Sequence, residues 1–304
     1  METALREIAA GVYAWIQPDG TWWINNAGAV HSGGEIVLID PCATARRTNA
    51  FLDALDNVTD GAPIRLAVNT HLHGDHVYGN ALLPASTTIV AHENTRLGML
   101  QDTILANTPP AWSPAPDWGI NTVRVPRIGF QDEITLYAGD KPVVLRHPGY
   151  PAHTVGDAVA WLPDERVLFA GDLLFHQVTP MIAMGSLDGA LRSLRWLAAF
   201  DPALVVPGHG PLVDATEFTA VLAAHTRYYE FIKDTAEYGR HNDLTPLQAA
   251  RDVDLGEFAD LPDAERLVLN LHRAYADANG SDVDVAAALG DAIAYNGAPL
   301  SCSV

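Results

Sequence analysis

The sequence predicts a layered α/β chain: two β-sheets packed face to face beneath outer helices, followed by a C-terminal helical extension. Three observations carry this. Short apolar runs of strand length form two groups, one before residue 70 and one between residues 134 and 170. Each group is accompanied by a segment whose apolar residues recur at helical spacing. Beyond about residue 240 only the helical pattern is left.

The elements follow in order. VYAWI (12–16), TWWINNAGAV (21–30) and EIVLID (35–40) are β-rich and are separated by Asp-Gly and Gly-Gly turn signals. Residues 44–56 (TARRTNAFLDALD) have helical spacing, and RLAVN (65–69) is a short buried strand. ITLYA (134–138), PVVLR (142–146), DAVAWL (157–162) and RVLFA (166–170) lie too close together for intervening helices and read as a meander. Ser186 caps a helix whose inner face is Leu187, Ala190, Leu191, Leu194 and Leu197. A strand, ALVV (203–206), comes next. Asp214 with Glu217 reads as a capping box, ahead of a helix facing inward through Phe218, Val221, Leu222, Tyr229 and Ile232. Pro262 is expected in the first turn of a later helix carrying Leu267, Val268, Leu271 and Tyr275. The expected division is a catalytic unit over 1–238 and a helical extension over 239–304. The proline-rich segment 105–121 carries Trp112 and Trp118, offers no regular structure and reads as a lid over a site.

Composition narrows the function classes. With 18 basic and 37 acidic residues in 304, the chain has a formal net charge of −19. It would be repelled by nucleic acid and by anionic membranes. Two cysteines, Cys42 and Cys302, form no disulfide framework and no Cys-rich zinc module. The first residues show no secretory signal, and no apolar run is long enough to span a bilayer. A reducing, cytoplasmic location is the expectation.

The most informative stretch is Asn69-Thr-His-Leu-His-Gly-Asp-His76. His71 and His73 sit two apart just after a strand, so both imidazoles can point to the same side and reach one ion. Asp75 and His76 follow a glycine that lets the chain turn and can face a second ion. Imidazoles plus a carboxylate at this density suit a first-row transition metal, with zinc leading and iron or manganese as alternatives. Three more candidate ligands lie at or near strand ends: His153 in a glycine-bearing loop, Asp172 after 166–170, and His209 after 203–206. The histidines outside this set (His31, His92, His147, His225, His241 and His272) read as structural or solvated.

Taken together, HLHGDH, His153-Thr, Gly-Asp172 and Gly-His209-Gly resemble the metallo-β-lactamase superfamily. The resemblance implies a four-layer αββα sandwich with a two-metal site at one edge of the paired sheets. It implies His71, His73 and His153 at metal one, Asp75, His76 and His209 at metal two, and Asp172 bridging. The β-lactamases of classes B1 and B2 carry a cysteine where Asp172 stands. An aspartate there resembles the glyoxalase II-like hydrolases, lactonases and thioesterases.

Two divalent ions supply a nucleophile at neutral pH without a serine or cysteine, and Asp75 is placed to orient it. No general acid is evident, which favours leaving groups that need none, such as those of thioesters, activated esters or lactones. Trp22, Trp112 and His176 are the candidate substrate contacts, with one of Trp22 and Trp23 facing the core and the other the substrate. The expected partner is a small-molecule or carrier-bound acyl group. The whole chain is also similar to cyclase/thioesterase proteins of aromatic polyketide pathways. Ring closure without hydrolysis and β-lactamase-like amide cleavage are the alternatives, and a homo-oligomer is compatible with the sequence.

Overall fold

The computed structural model describes residues 3–304. The first half comprises β1 (Ala4–Ala9), β2 (Val12–Ile16), β3 (Ala27–Ser32), β4 (Glu35–Ile39), α1 (Ala45–Thr59), β5 (Ile64–Asn69), α2 (Gly74–Val77), β6 (Thr88–His92), α3 (Glu93–Met99), β7 (Trp112–Ser113) and β8 (Ile128–Phe130). The second comprises β9 (Glu133–Ala138), β10 (Lys141–Arg146), β11 (Val159–Leu162), β12 (Val167–Phe175), α4 (Leu187–Ala198), β13 (Leu204–His209), β14 (Val213–Asp214), α5 (Ala215–His241), α6 (Pro246–Asp252), α7 (Arg266–Asn279), α8 (Val285–Asn296) and β15 (Leu300–Ser301).

Two large sheets result, ordered β1-β2-β3-β4-β5-β6-β8 and β14-β13-β12-β11-β10-β9. Strand alternation assigns their faces. In β4, Val37 and Ile39 point into the seam between the sheets, and Ile36 and Leu38 point outward onto Phe51 and Leu55 of α1. In β12, Val167 and Phe169 enter the same seam, while Leu168 and Ala170 face outward to the layer of α4, α5 and α7. The order of layers is therefore αββα, with the C-terminal helices thickening the outer layer on the second sheet. The meander β9 to β12 is antiparallel throughout, as expected.

Both sheets change to parallel pairing where a helix crosses over: β4–β5 around α1 and β12–β13 around α4. Parallel strands put their carboxyl ends on the same edge, and the candidate ligands collect there. Gly208 lets β13 approach β12 closely, since a Cβ there would fall on the Asp172 carboxylate.

Several boundaries differ from expectation. The strand expected over 21–30 begins only at Ala27, because Trp23 adopts φ 67 and breaks the extended run. β12 runs on to Phe175, with register shifts around Gly171 that carry Asp172 inside the strand. Pro262 lies ahead of α7, which starts at Arg266. Asp214 caps α5 by accepting from the Thr216 and Glu217 amides. Helix α5 continues through residue 238, where the helical extension was expected to separate. Segment 105–121 is not free of regular structure: β7 within it pairs in parallel with β15 at the C-terminus. No helix among the described residues is long and apolar enough to cross a membrane.

Candidate metal centre

The turn after β5 is built by polar pins. Thr70 donates its backbone N–H to Asp40 Oδ1 at 2.8 Å and its hydroxyl to Asp40 Oδ2 at 2.7 Å. Asn69 Nδ2 donates to the His76 carbonyl at 2.9 Å, and Asn80 Nδ2 donates to Asn69 Oδ1 at 2.8 Å. His71 and His73 emerge from this turn, Asp75 and His76 from the single turn α2, His153 from the β10–β11 loop, Asp172 from β12 and His209 from the end of β13.

These seven side chains converge in two groups. His71, His73, His153 and Asp172 form one, and Asp75, His76 and His209 form the other, with the ligating atoms of each group within 4.8 Å of one another. In the first, His73 Nδ1 is 3.2 Å from His71 Nε2 and 2.8 Å from His153 Nε2. In the second, His209 Nε2 is 3.2 Å from Asp75 Oδ2. The Asp172 carboxylate reaches both. Its Oδ1 is 3.1 Å from His76 Nε2, and its Oδ2 is 3.3 Å from His153 Nε2 and 3.4 Å from His209 Nε2.

The far nitrogen of most rings is already engaged. His76 Nδ1 donates to Asp40 Oδ2 at 2.8 Å, His153 Nδ1 to the Met181 carbonyl at 2.6 Å and His209 Nδ1 to the Gly20 carbonyl at 2.9 Å. His71 Nδ1 donates to Thr70 Oγ1 at 3.1 Å, since that hydroxyl spends its own proton on Asp40. Each of these rings therefore offers Nε2 inward, the arrangement by which supporting contacts orient metal-binding imidazoles. His73 offers Nδ1, with its Nε2 3.3 Å from Met184 Sδ.

The two groups differ electrostatically. Burial drives His71 well below the ordinary imidazole value, with the His76 charge adding to the effect. Burial also pushes His73 down to about 3, with His153 assisting. Burial opposes protonation of His76 as well, but Asp172, Asp40 and Asp75 overcome it and raise this ring well above its usual value. The same contest raises His209 to about 9. Burial disfavours ionisation of Asp75, yet His76 and His209 hold it down to about 2. Asp172 is held well below the carboxylate range against its burial, by His209 and His76 foremost.

The donor set fits divalent metal. His76 Nε2 and Asp172 Oδ1 are buried and take part in no hydrogen bond, although they face each other across 3.1 Å. Buried polar atoms are rarely left so. Imidazoles beside carboxylates are ligands for first-row divalent ions, which would satisfy both atoms at once and displace the protons that the carboxylates hold on His76 and His209.

Beside the cluster lies a cavity lined by His73, Asp75, Asp172 and His209 on one side and mainly by apolar groups on the other. Trp22 and Trp112 line it together, in edge-to-face contact at 5.6 Å. Trp23 lines it too, so both early tryptophans face the same space; the expected division between core and substrate assumed a strand that Trp23 interrupts. Trp118 anchors the loop, donating Nε1 to Thr108 Oγ1 at 2.8 Å and packing on Trp23. His176 is a correction. The chain turns at Gln177 (φ 58), His176 Nδ1 lies 3.1 Å from the Pro211 carbonyl, and the ring lines a separate cavity with Glu217 and His225. Sequence reasoning missed Asp40, although EIVLID ends in the same strand-end position as the ligands. It also missed Arg266, Leu269, Val285 and Leu289, which the C-terminal helices bring to the cavity wall and which no local signal distinguishes from core or surface residues.

Comparison with known proteins gives a consistent result. Residues 20–209 match the family model of the metallo-beta-lactamase superfamily. The chain is 26% identical over 248 residues to a beta-lactamase-like protein 2 homolog of Caenorhabditis elegans, covering 80% of this chain and 73% of that one. It is 28% identical over 172 residues to a hydroxyacylglutathione hydrolase of Methylococcus capsulatus, covering 55% of this chain and 53% of that protein. Among solved structures, a metallo-beta-lactamase from Pontibacter korlensis superposes with a TM-score of 0.59 at 20% identity, over 75% of this chain and 99% of its own. A stereoselective inverting sec-alkylsulfatase from Pseudomonas sp. gives 0.70 at 18% identity, over 94% of this chain and 51% of its own. At such identities these structures share the fold.

Proposed function

The chain belongs to the metallo-beta-lactamase superfamily, and from that premise we propose that it is a dinuclear hydrolase of a thioester, ester or lactone carbonyl on a bulky, partly aromatic molecule. One observation carries this reading: the unpartnered His76 Nε2 and Asp172 Oδ1 sit among convergent ring nitrogens at the edge of an aromatic-walled cavity. His71, His73 and His153 would hold one ion, Asp75, His76 and His209 the other, and Asp172 would serve both. Zinc is the leading metal for this set, with iron and manganese as alternatives. Bound ions would supply a nucleophile at neutral pH and a positive charge for the developing oxyanion.

The chain's own residues do the rest. Asp75 is the catalytic carboxylate, ionised and at the cavity edge, where it can accept a hydrogen bond from the attacking oxygen and orient it. Asp40 and Thr70 keep His71 and His76 in the ring form that leaves Nε2 free. Trp22, Trp112, Met181 and Leu289 exclude water and hold an apolar acyl body. Among the described residues no Glu, Lys, Tyr or Ser lines the cavity, so no neutral acid waits to protonate a poor leaving group. That supports a thiolate or stabilised alkoxide over an amine. Within this class we favour a thioesterase acting on small-molecule or carrier-bound aromatic polyketide acyl groups, with ring closure as the competing outcome.

The test is a panel of aryl and alkyl thioesters, lactones and β-lactams, assayed by product analysis on the metal-reconstituted chain. Aromatic thioesters should turn over to free acid with close to two metal ions per chain. Full metal content with no acyl hydrolysis, or turnover of β-lactams alone, would overturn the reading.

A further inference from the structure

Donors without acceptors belong to several of the residues that line the cavity. Among the described residues, three buried N–H groups on its lining residues meet no acceptor: Trp23 Nε1, Trp112 Nε1 and Arg266 Nε. Trp22 shows the contrast, because its Nε1 donates to Glu265 Oε1 at 2.7 Å. Unpaired buried donors are uncommon, and three on one lining require a reason.

Arg266 is the charged member of the three. It is only 2% exposed, in a chain whose net charge is −19. Its guanidinium carbon lies 4.8 Å from the Trp22 ring centroid and 5.9 Å from that of Phe175. Phe175 in turn stacks on His209 at 5.3 Å. One aromatic ring thus separates the cation from the metal cluster. Nη1 donates to the Thr179 carbonyl at 2.9 Å, and Nη2 is in ion-pair contact with Asp263 Oδ2 at 2.7 Å. A guanidinium carries five donor hydrogens in a planar fork, so these two contacts leave it unsaturated. The cavity lining holds no lysine and no second arginine.

We propose that Arg266, assisted by the Trp112 indole N–H, is the specificity-determining site for a carboxylate carried by the substrate away from the scissile carbonyl. The proposal deepens the hydrolase reading, and its kinetic arm rests on it. A carboxylate is planar and accepts without donating, matching the guanidinium fork that lies over the Trp22 ring. A primary amide in its place offers one accepting oxygen and turns its NH2 towards the remaining donors, and a hydroxyl offers a single uncharged oxygen. A phosphoryl group, with more charge and a third oxygen, calls for further cations that this lining lacks. Arg266 also arrives from helix α7, outside residues 20–209, so the selecting group is separate from the segment that supplies the metal cluster.

The experiment compares S-phenyl thioglutarate, which has a free carboxylate, with the matching glutaramide thioester on the metal-loaded chain. The acid should be favoured by roughly ten- to hundredfold in kcat/KM, the scale of a hydrogen bond to a charged group. Arg266→Gln should abolish the preference by lowering turnover of the acid roughly ten- to hundredfold more than that of the amide, with the metal content unchanged, and Arg266→Lys should restore part of it. Asp263→Asn removes the intramolecular competitor and should raise the preference. No preference in the wild type would overturn the proposal, as would Arg266→Gln lowering both substrates equally, which would make Arg266 a buttress for the Thr179 segment. Should Arg266→Gln fail to fold, an unchanged preference in Asp263→Asn overturns it. If neither thioester reacts, the hydrolase reading fails separately, and calorimetric titration with 2-naphthoate and 2-naphthamide decides. Naphthoate binding that is no tighter than naphthamide binding, or that is insensitive to Asp263→Asn, overturns the carboxylate site.

Discussion

The two sides of the cavity are made by different means. The side of the candidate ligands comes from residues 71–209, sits on strand ends and short turns of the paired sheets, and has three of its five outward ring nitrogens tied to a carbonyl or carboxylate. The opposite wall combines a loop at 22–23, the segment around Trp112 and helices α7 and α8, and among the described residues three of its buried N–H groups have no partner. Rigid strand ends fix ligand geometry, which the chemistry requires. The wall is free to vary, because it needs only shape and a few polar anchors. On the proposed function, reaction type and substrate choice would be carried by separable parts of one chain.

The sharpest way to break this comparison is at Asp172, whose oxygens face both ligand groups. Asp172→Ala should deplete both ions and lower turnover by on the order of a thousandfold, the scale of losing a main transition-state charge stabiliser. His153→Ala should deplete mainly one ion. Elemental analysis of the two variants checks this, and equal single-site losses would contradict a shared role for Asp172.

Next in size is Asp40, which touches no candidate metal position but accepts from both His76 and Thr70. Asp40→Asn should weaken metal affinity by roughly ten- to a hundredfold, as loss of a ligand-orienting partner does. Competition with a chelator measures it. Unchanged affinity would mean that the strand ends alone hold the rings.

The wall is tested at Trp112. Trp112→Ala should lower kcat/KM for a bulky aromatic thioester by about 1–3 kcal/mol more than for a small acyl thioester, with metal content unchanged. Trp112 also pairs through β7 with β15, so its melting temperature should fall as well. Equal kinetic losses on both substrates would make the segment scaffold and not a selecting wall.

The smallest expected effect is a pH dependence confined to the metal-free chain. His209 is raised to about 9, above the ordinary imidazole value near 6.5. Its pairing with Asp172 and Asp75 therefore stabilises the fold fully below about 6.5, and that contribution is lost as the pH rises towards 9. His73, pushed down to about 3, acts in the opposite sense: the unfolded chain takes up the proton first, so stability falls as the pH drops from about 6.5 towards 3. Melting curves of the metal-free chain should peak near neutral pH, and metal loading should remove the alkaline slope. A slope that persists with metal bound would assign it to other groups.

The sequence by itself determined the metal side almost completely. His71, His73, Asp75 and His76 are neighbours in the chain, and strand alternation with one glycine turn suffices to aim them. Asp172 and His209 were legible because β12 and β13 run parallel and a strand end can be read from the run before it, and His153 because its glycine-bearing loop follows the run of β10. Asp40 also stands at a strand end, but it lies ahead of the ligand series that begins at His71 and went unread. The tertiary structure alone decided the wall. The positive φ at Trp23 broke an expected strand and turned both early tryptophans onto one cavity, while a turn at Gln177 carried His176 away from it. Arg266 is one arginine on one helix until α7 packs beside Phe175 and Trp22. The physical reason is range: a local period fixes the direction of a side chain relative to its own element, and only packing between distant elements fixes what that side chain meets.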